Sequence, residues 1–323
     1  TIYLGGGTPS QLAKEDFEAI FSHIYKVYKV TPNAEITLEA NPDDLTSEYI
    51  SMLRTFPFNR ISMGIQTFQE TTLKQLQRRH TADQAIRAFQ GCRTAGFQNI
   101  SIDLMYGLPG ETLTSWKKDL KQALSLHPEH ISAYHLIYEE GTPLWKLREQ
   151  HKVEEADEDL SVSLFGTLID ELTTAGYEHY EISNFCLPGF HSRHNSSYWT
   201  EKKYLGCGPS AHSYNGTSRQ WNVASLNEYI RGISNGNPTF EVEELDLYTR
   251  YNDFVITHIR TQWGMPLPKL RKQYGEELYK YCLRMATPHL QQGTLEIKND
   301  TLKLTRKGVF ISDGIMSDML WVE

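Results

Sequence analysis

The sequence predicts an α/β protein built on a parallel sheet, with a smaller module behind it. Short apolar stretches recur through the first half at intervals of roughly 25–40 residues, with amphipathic helical stretches between them. Two of these stretches, "ISIDLM" and "RISMGI", are nearly continuous in apolar character, as strands buried on both faces are. The chain's 323 residues exceed one average domain, so one large α/β unit plus an appendage is the natural division.

Taken in order, the strand-like pieces are "TIYL" at the start, Ala34–Asn41, Arg60–Thr67, Ile100–Pro109 and His130–Ile137. Helical patterns lie between them, from about Gln11 to Tyr28, Glu48 to Thr55, Thr81 to Ala95 and Thr112 to Leu126. The caps agree: Thr46 or Ser47 can start the second helix, Gly96 can stop the third, and Pro128 follows the fourth. Alternation of this kind means βαβ units, in either an open doubly wound sheet or a barrel or partial barrel. Both architectures bind ligands at the carboxyl ends of the strands. From about Gly141 the rhythm breaks into an acidic helical stretch, "YEHYEISNF", and loop-rich segments dense in His, Gly and aromatics up to Tyr214. After "GISNGNPTF" the pattern reads as helices, a hairpin turning at Asn299–Asp300 and a last helix, a small winged-helix-like module. The expected organisation is residues 1–240 as the larger unit with a His- and aromatic-rich accessory segment, and 241–323 as the smaller.

A net charge of −8 argues against a general nucleic-acid binder, and 268–323 carries nine Lys/Arg against seven Asp/Glu, a weak bias that favours packing or a protein partner. No apolar run reaches the roughly 18–20 residues of a membrane span. Cys92, Cys186, Cys207 and Cys282 are far apart with no C-x-x-C spacing, which points to buried thiols rather than metal ligands and to a reducing, cytoplasmic compartment.

The candidate chemistry sits at strand ends. Gly5, Gly6 and Gly7, followed by Thr8, allow a sharp turn whose bare backbone can approach a ligand and cradle an anion. The pattern is neither of the nucleotide-binding glycine fingerprints. Glu39, Gln66 and Asp103 each fall at or near the end of a successive strand. Any one of them alone reads as a salt bridge or a helix cap. Three converging on one mouth beside a glycine turn suit a ligand with an amine, hydroxyls and a carboxylate.

"YLGGGTPS", "EANPDDL", "SMGIQTF", "QRRH" and "SIDLMYGLPGET", in that order and spacing, resemble the radical S-adenosylmethionine (SAM) enzymes of the coproporphyrinogen dehydrogenase group. The resemblance implies a partial (β/α)6 barrel with SAM across its open face. It places Gly5, Gly6, Gly7, Thr8, Glu39, Gln66, Arg78 and Asp103 at the cofactor, with Ile137 as a backbone contact. Members of that group hold a [4Fe–4S] cluster on C-x-x-x-C-x-x-C after the first strand. This chain lacks that motif, and the glycine loop belongs to the second strand of such barrels. The expectation is therefore that the first strand and its cysteine loop lie upstream of Thr1, and that no cluster ligand lies within the chain.

Further along, "YEISNF", "SRHNSSYW" and "YLGCGPSAHSY" are similar to the HemW-type heme chaperones. The resemblance implies heme as cargo, a heme-accepting respiratory membrane protein as partner, and a cytoplasmic location that can extend to the membrane's periphery. His194, Asn195, Tyr198 and Trp199 are the heme-binding candidates, since an imidazole ligates iron and flat rings line an apolar slot. His135, His191 and His212 stay open as ligands. His212 also stands where dehydrogenases place a second SAM contact. Two rivals remain: oxygen-independent coproporphyrinogen III oxidase of porphyrin biosynthesis, and a cluster-free scaffold or binding module.

Overall fold

The computed structural model describes residues 1–322. By contacts the chain forms two compact units, Thr1–His194 and Asn195 onward.

The first unit is built on a seven-stranded sheet of order β1-β2-β3-β4-β5-β7-β6. Its first five strands are β1 (Ile2–Leu4), β2 (Ile36–Ala40), β3 (Arg60–Gln66), β4 (Ile100–Tyr106) and β5 (His130–His135). All neighbours among these five pair in parallel. The helices between them are α1 (Lys14–Val27), α2 (Ser47–Leu53), α3 (Glu70–Gln75), α4 (Ala82–Thr94) and α5 (Leu113–Ser125). Every strand and helix expected in this half is present, within a few residues of its expected ends. The caps are local chemistry: Thr46, Thr81 and Thr112 each accept a hydrogen bond from the amide three residues on, opening α2, α4 and α5. Strand side chains such as Leu38, Ile61, Met63, Ile102 and Leu104 are fully buried, as expected of strands covered on both faces.

Beyond β5 the chain forms α6 (Pro143–Glu149) and α7 (Glu158–Thr174), then two short strands, β6 (Glu178–Glu181) and β7 (Asn184–Cys186), which extend the sheet, β7 antiparallel to β5 and β6 antiparallel to β7. α7 packs beside α5 through Trp116, which is fully buried and donates its indole N–H to the Leu164 carbonyl at 3.0 Å. The short helix α8 (Arg193–Tyr198) runs across the division between the units.

The second unit contains α9 (Leu226–Ser234), α10 (Leu247–Ile259), α11 (Leu267–Gln291), α12 (Arg306–Val309) and α13 (Ser312–Met319). A three-stranded antiparallel sheet holds β8 (His212–Tyr214), β9 (Ser218–Asn222) and β10 (Phe240–Glu244). A second one holds β11 (Met265–Pro266), β12 (Leu295–Lys298) and β13 (Thr301–Leu304). Asn299 and Asp300, both left-handed at φ +51° and +55°, make the two-residue turn between β12 and β13, where the hairpin was expected. The segment read as loop-rich is more ordered than its sequence suggests. Its strands are three to five residues long, mix polar with apolar side chains, and pair only with distant or antiparallel neighbours.

Replacing Trp116 with Ala removes the largest side chain between α5 and α7 and the indole hydrogen bond to the Leu164 carbonyl. Urea unfolding of Trp116→Ala is expected to show a loss of about 3–5 kcal/mol.

Candidate functional site

Parallel register carries the polar residues to one mouth. Glu39 on β2 pairs with Ser62 on β3, and Gly64 on β3 pairs with Asp103 on β4. Side chains alternate between faces, so Ser62, Gly64 and Gln66 form one row and Glu39 begins another that continues to Asn41. With Gly7, Thr8, Ser10 and Arg78 these residues line a cavity of about 210 Å³.

The glycine turn after β1 is held by Glu39. One carboxylate oxygen accepts the Gly6 amide at 2.9 Å and the other accepts the Tyr3 hydroxyl at 2.5 Å. Gly6 and Gly7 are left-handed, at φ +72° and +56°. A Cβ on Gly5 would come within 2.4 Å of the Tyr3 ring and 2.8 Å of the Glu39 carboxyl carbon, so the close approach of turn and acid requires glycine.

The end of β3 is irregular. Its register with β4 shifts between Gly64 and Gln66, and Gln66 is left-handed at φ +70°, a conformation that costs a side-chain-bearing residue about 1–3 kcal/mol. The carbonyls at this irregularity find side-chain donors from "QRRH". Arg78 donates to the Gly64 carbonyl at 3.0 Å, and His80 lies 3.1 Å from the Ile65 carbonyl, which makes its Nε2 the protonated nitrogen. Arg78 also donates to Asn41 Oδ1 at 2.9 Å, and its five donors exceed these two bonds. Arg79 instead pairs with Asp43 and Asp44, each at 3.0 Å, and so anchors the loop. On the far side, fully buried Asp119 of α5 accepts from Thr67 at 2.5 Å and from Gln69 at 2.7 Å, fastening the segment after Gln66.

Burial, with the neighbouring Glu39 charge, pushes the Asp103 carboxyl up to about 6, against the opposing pull of Arg60 and of hydrogen bonds from Ser132 and Ser62. Near neutrality this group exchanges its proton readily and can accept from, or donate to, a ligand hydroxyl. Desolvation likewise lowers Arg78 from its ordinary value. The cavity thus offers an anionic carboxylate, a neutral amide, a guanidinium and exposed backbone around one space.

Ile137, two residues past β5, is 75% exposed and is not among the residues lining this cavity. Ser10, Asn41, Ser62 and Gly64 do line it and were not singled out from sequence. The two-residue period counted back from Gln66 and forward from Glu39 is the signal that points to Ser62, Gly64 and Asn41.

His194 closes the first unit. Its ring stacks on Tyr3, with centroids 4.4 Å apart and planes 14° apart, and Nδ1 lies 3.2 Å from the Thr1 hydroxyl. Buried Glu35 accepts the amides of Arg193 and His194 at 2.9 and 2.8 Å. Burial lowers the His194 imidazole to about 4, so it is neutral at physiological pH, the form that ligates a metal. Asn195, Tyr198 and Trp199 belong to the second unit. There Tyr198 packs edge-on against Tyr204, and Arg260 sits 4.3 Å above the Trp199 ring. His212 opens β8 and stacks on Trp221, its partner across the ladder.

The radical SAM superfamily model matches residues 1–123, and the HemN C-terminal domain model matches residues 245–311. The solved structure of Escherichia coli coproporphyrinogen III oxidase (HemN), described as a radical SAM enzyme, shares the fold with a TM-score of 0.84 at 22% identity, covering 98% of this chain and 76% of that one. Fold and site therefore define a radical SAM protein with a HemN-type C-terminal domain. The Bacillus subtilis heme chaperone HemW is 31% identical over 99% of this chain and 85% of its own length. That of Lactococcus lactis is 32% identical over 99% and 84%. That of Haemophilus influenzae is 33% identical over 100% and 83%. The chain belongs to the HemW family of heme chaperones.

The Asp103 shift makes a signed prediction. A carboxyl with a raised native pKa favours the folded state while protonated, so its contribution falls as pH rises from about 3.8 to about 6 and is level above that. Asp103→Asn should flatten this part of the stability profile. Urea unfolding at pH 4, 5, 6 and 7 measures it, with the variant gaining on the parent across the interval.

Proposed function

We propose that this chain binds heme and passes it to a heme-accepting respiratory membrane protein, while S-adenosylmethionine occupies the cavity at the ends of β1 to β4. The observation that carries the reading is near-full-length similarity to heme chaperones, in a chain whose cavity groups suit an amino-acid-bearing sulfonium ligand. With it goes the finer architecture: a partial (β/α)6 barrel lacking its first strand, followed by an accessory His- and aromatic-rich segment, over 1–240, of which 195–240 groups by contacts with the second unit, and a winged-helix-like module over 241–323. The parallel run of β1 to β5 and the HemN C-terminal match at 245–311 support these.

The residues fit SAM by chemistry. Glu39 has lone pairs left for an ammonium group after Tyr3 and Gly6 are served. Gly7 and Thr8 offer backbone to a carboxylate, with Gly6 fixing the turn through Glu39, and Arg78 offers charge. Gln66 and Asp103 suit ribose hydroxyls or amine protons. A [4Fe–4S] cluster does not fit the residues here: no cysteine lines the cavity, and Cys92, Cys186 and Cys282 are buried elsewhere. No step is derived through a cluster.

For heme, iron ligation by a neutral imidazole is the chemistry the group would call on, and His194 supplies one. Its ring is oriented by Tyr3 and its backbone by Glu35, with Asn195, Tyr198 and Trp199 following in the same motif. Tyr3 links the two functions, because its hydroxyl bonds Glu39 while its ring carries His194. Among the described residues no helix is long and apolar enough to cross a membrane, so the membrane enters this proposal through the acceptor.

Calorimetry with SAM should show Glu39→Ala binding about 10–100-fold more weakly, the loss of a charged hydrogen-bonding partner. Titration with hemin should give a shifted Soret band that His194→Ala weakens at least about tenfold. No hemin binding by the wild-type protein, or sustained oxidation of coproporphyrinogen by it, would overturn the chaperone reading, and unchanged hemin affinity in His194→Ala would overturn His194 as the iron ligand.

A further inference from the structure

We propose that Glu178, Cys186 and His191 form a zinc site at the hairpin edge of the sheet, separate from the SAM cavity. Glu178 and Cys186 face each other in the β6–β7 ladder, so their side chains leave the same face. The turn Leu187–Phe190, closed by the Phe190 amide on the Leu187 carbonyl at 3.0 Å, then returns the chain and brings His191 Nε2 to 2.9 Å from a Glu178 carboxylate oxygen. One donor atom from each of the three lies within 4.8 Å of the others.

The donor set selects the ion. Thiolate, imidazole and carboxylate together are zinc ligands, whereas magnesium and calcium take oxygen alone. Zinc bonds of about 2.0–2.3 Å put tetrahedral ligands roughly 3–4 Å apart, so the cluster has only about 1 Å to contract. Charge also closes: a thiolate and a carboxylate balance one divalent cation, and a neutral imidazole adds none. Binding forms the Zn–S bond as the thiol proton passes to solvent. Without the ion, burial and the adjacent Glu178 hold the Cys186 thiol up to about 12, so the cation is what would ionise it. The Tyr180 ring packs edge-on to His191 at 4.9 Å, orienting it. Cys186 is fully buried, while Glu178 and His191 keep part of their side chains in solvent and leave an entry path.

The site's position suggests its use. Cys186 pairs with His130, the first residue of β5, so the cluster sits at the amino end of that strand, whereas the SAM cavity opens at carboxyl ends. The ion would clamp the edge hairpin to the segment that leads directly into His194. This inference does not depend on the heme or SAM assignments.

The test is titration of the full reduced chain with Co²⁺, followed by Zn²⁺ displacement. The expected result is one Co²⁺ per chain, with tetrahedral ligand-field bands and a near-ultraviolet thiolate-to-cobalt band. Cys186→Ser should lose the thiolate band, and Cys207→Ser, at the exposed cysteine, should keep it. His191→Ala should weaken Co²⁺ at least about tenfold and lose the Zn²⁺-dependent rise in Tm. His191 is part-exposed, so this variant decides the matter if Cys186→Ser fails to fold. No bound metal, binding without a thiolate band, a band that survives Cys186→Ser, or unchanged affinity in His191→Ala would each overturn the site.

Discussion

The carboxylate of Glu39 is the contact on which the site depends. It ties the Tyr3 hydroxyl and the Gly6 amide to the end of β2, and each charge-assisted bond of this kind is worth about 1.5–3 kcal/mol. Without it, two consecutive left-handed glycines would have no reason to hold one shape. Gly5 lets the acid come that close, and Tyr3 passes the same constraint on to His194 through ring stacking. One side chain thus sets the turn, the cavity wall and the approach to the histidine motif.

The second constraint is the irregular end of β3. Its register with β4 shifts and Gln66 takes a left-handed backbone, at a cost in local strain, while its side chain stays on the cavity side with Ser62 and Gly64. Arg78 and His80 pair the carbonyls at this irregularity, and Asp119 holds the residues after it. The strain is therefore held from three directions by side chains that arrive from other elements. Arg78 serves this framework and also lines the cavity.

Legibility divides along physical lines. The central strands of the parallel half are runs of mostly buried apolar residues with a polar one near the end, and the helices between them are amphipathic, three with threonine caps, so each element's own sequence suffices to reveal it. Glu39, Gln66 and Asp103 are legible for the same reason, because a charge or amide at the end of a buried strand has few places to go. The hairpin at Asn299–Asp300 is legible because two residues that tolerate positive φ sit between alternating strands. β6 to β9 are not legible, since three to five mixed residues carry too little periodicity and their partners are distant or antiparallel.

The sequence by itself determined the alternating α/β order, the polar residues at the strand ends, and the motifs that mark the family. Those features are local, written in period, cap and turn chemistry within a few residues. Only the tertiary structure decided how Glu39 is shared between Tyr3 and Gly6, and that Glu178, Cys186 and His191 meet. Those outcomes depend on strand register, which is set by the packing of distant segments and by no local pattern.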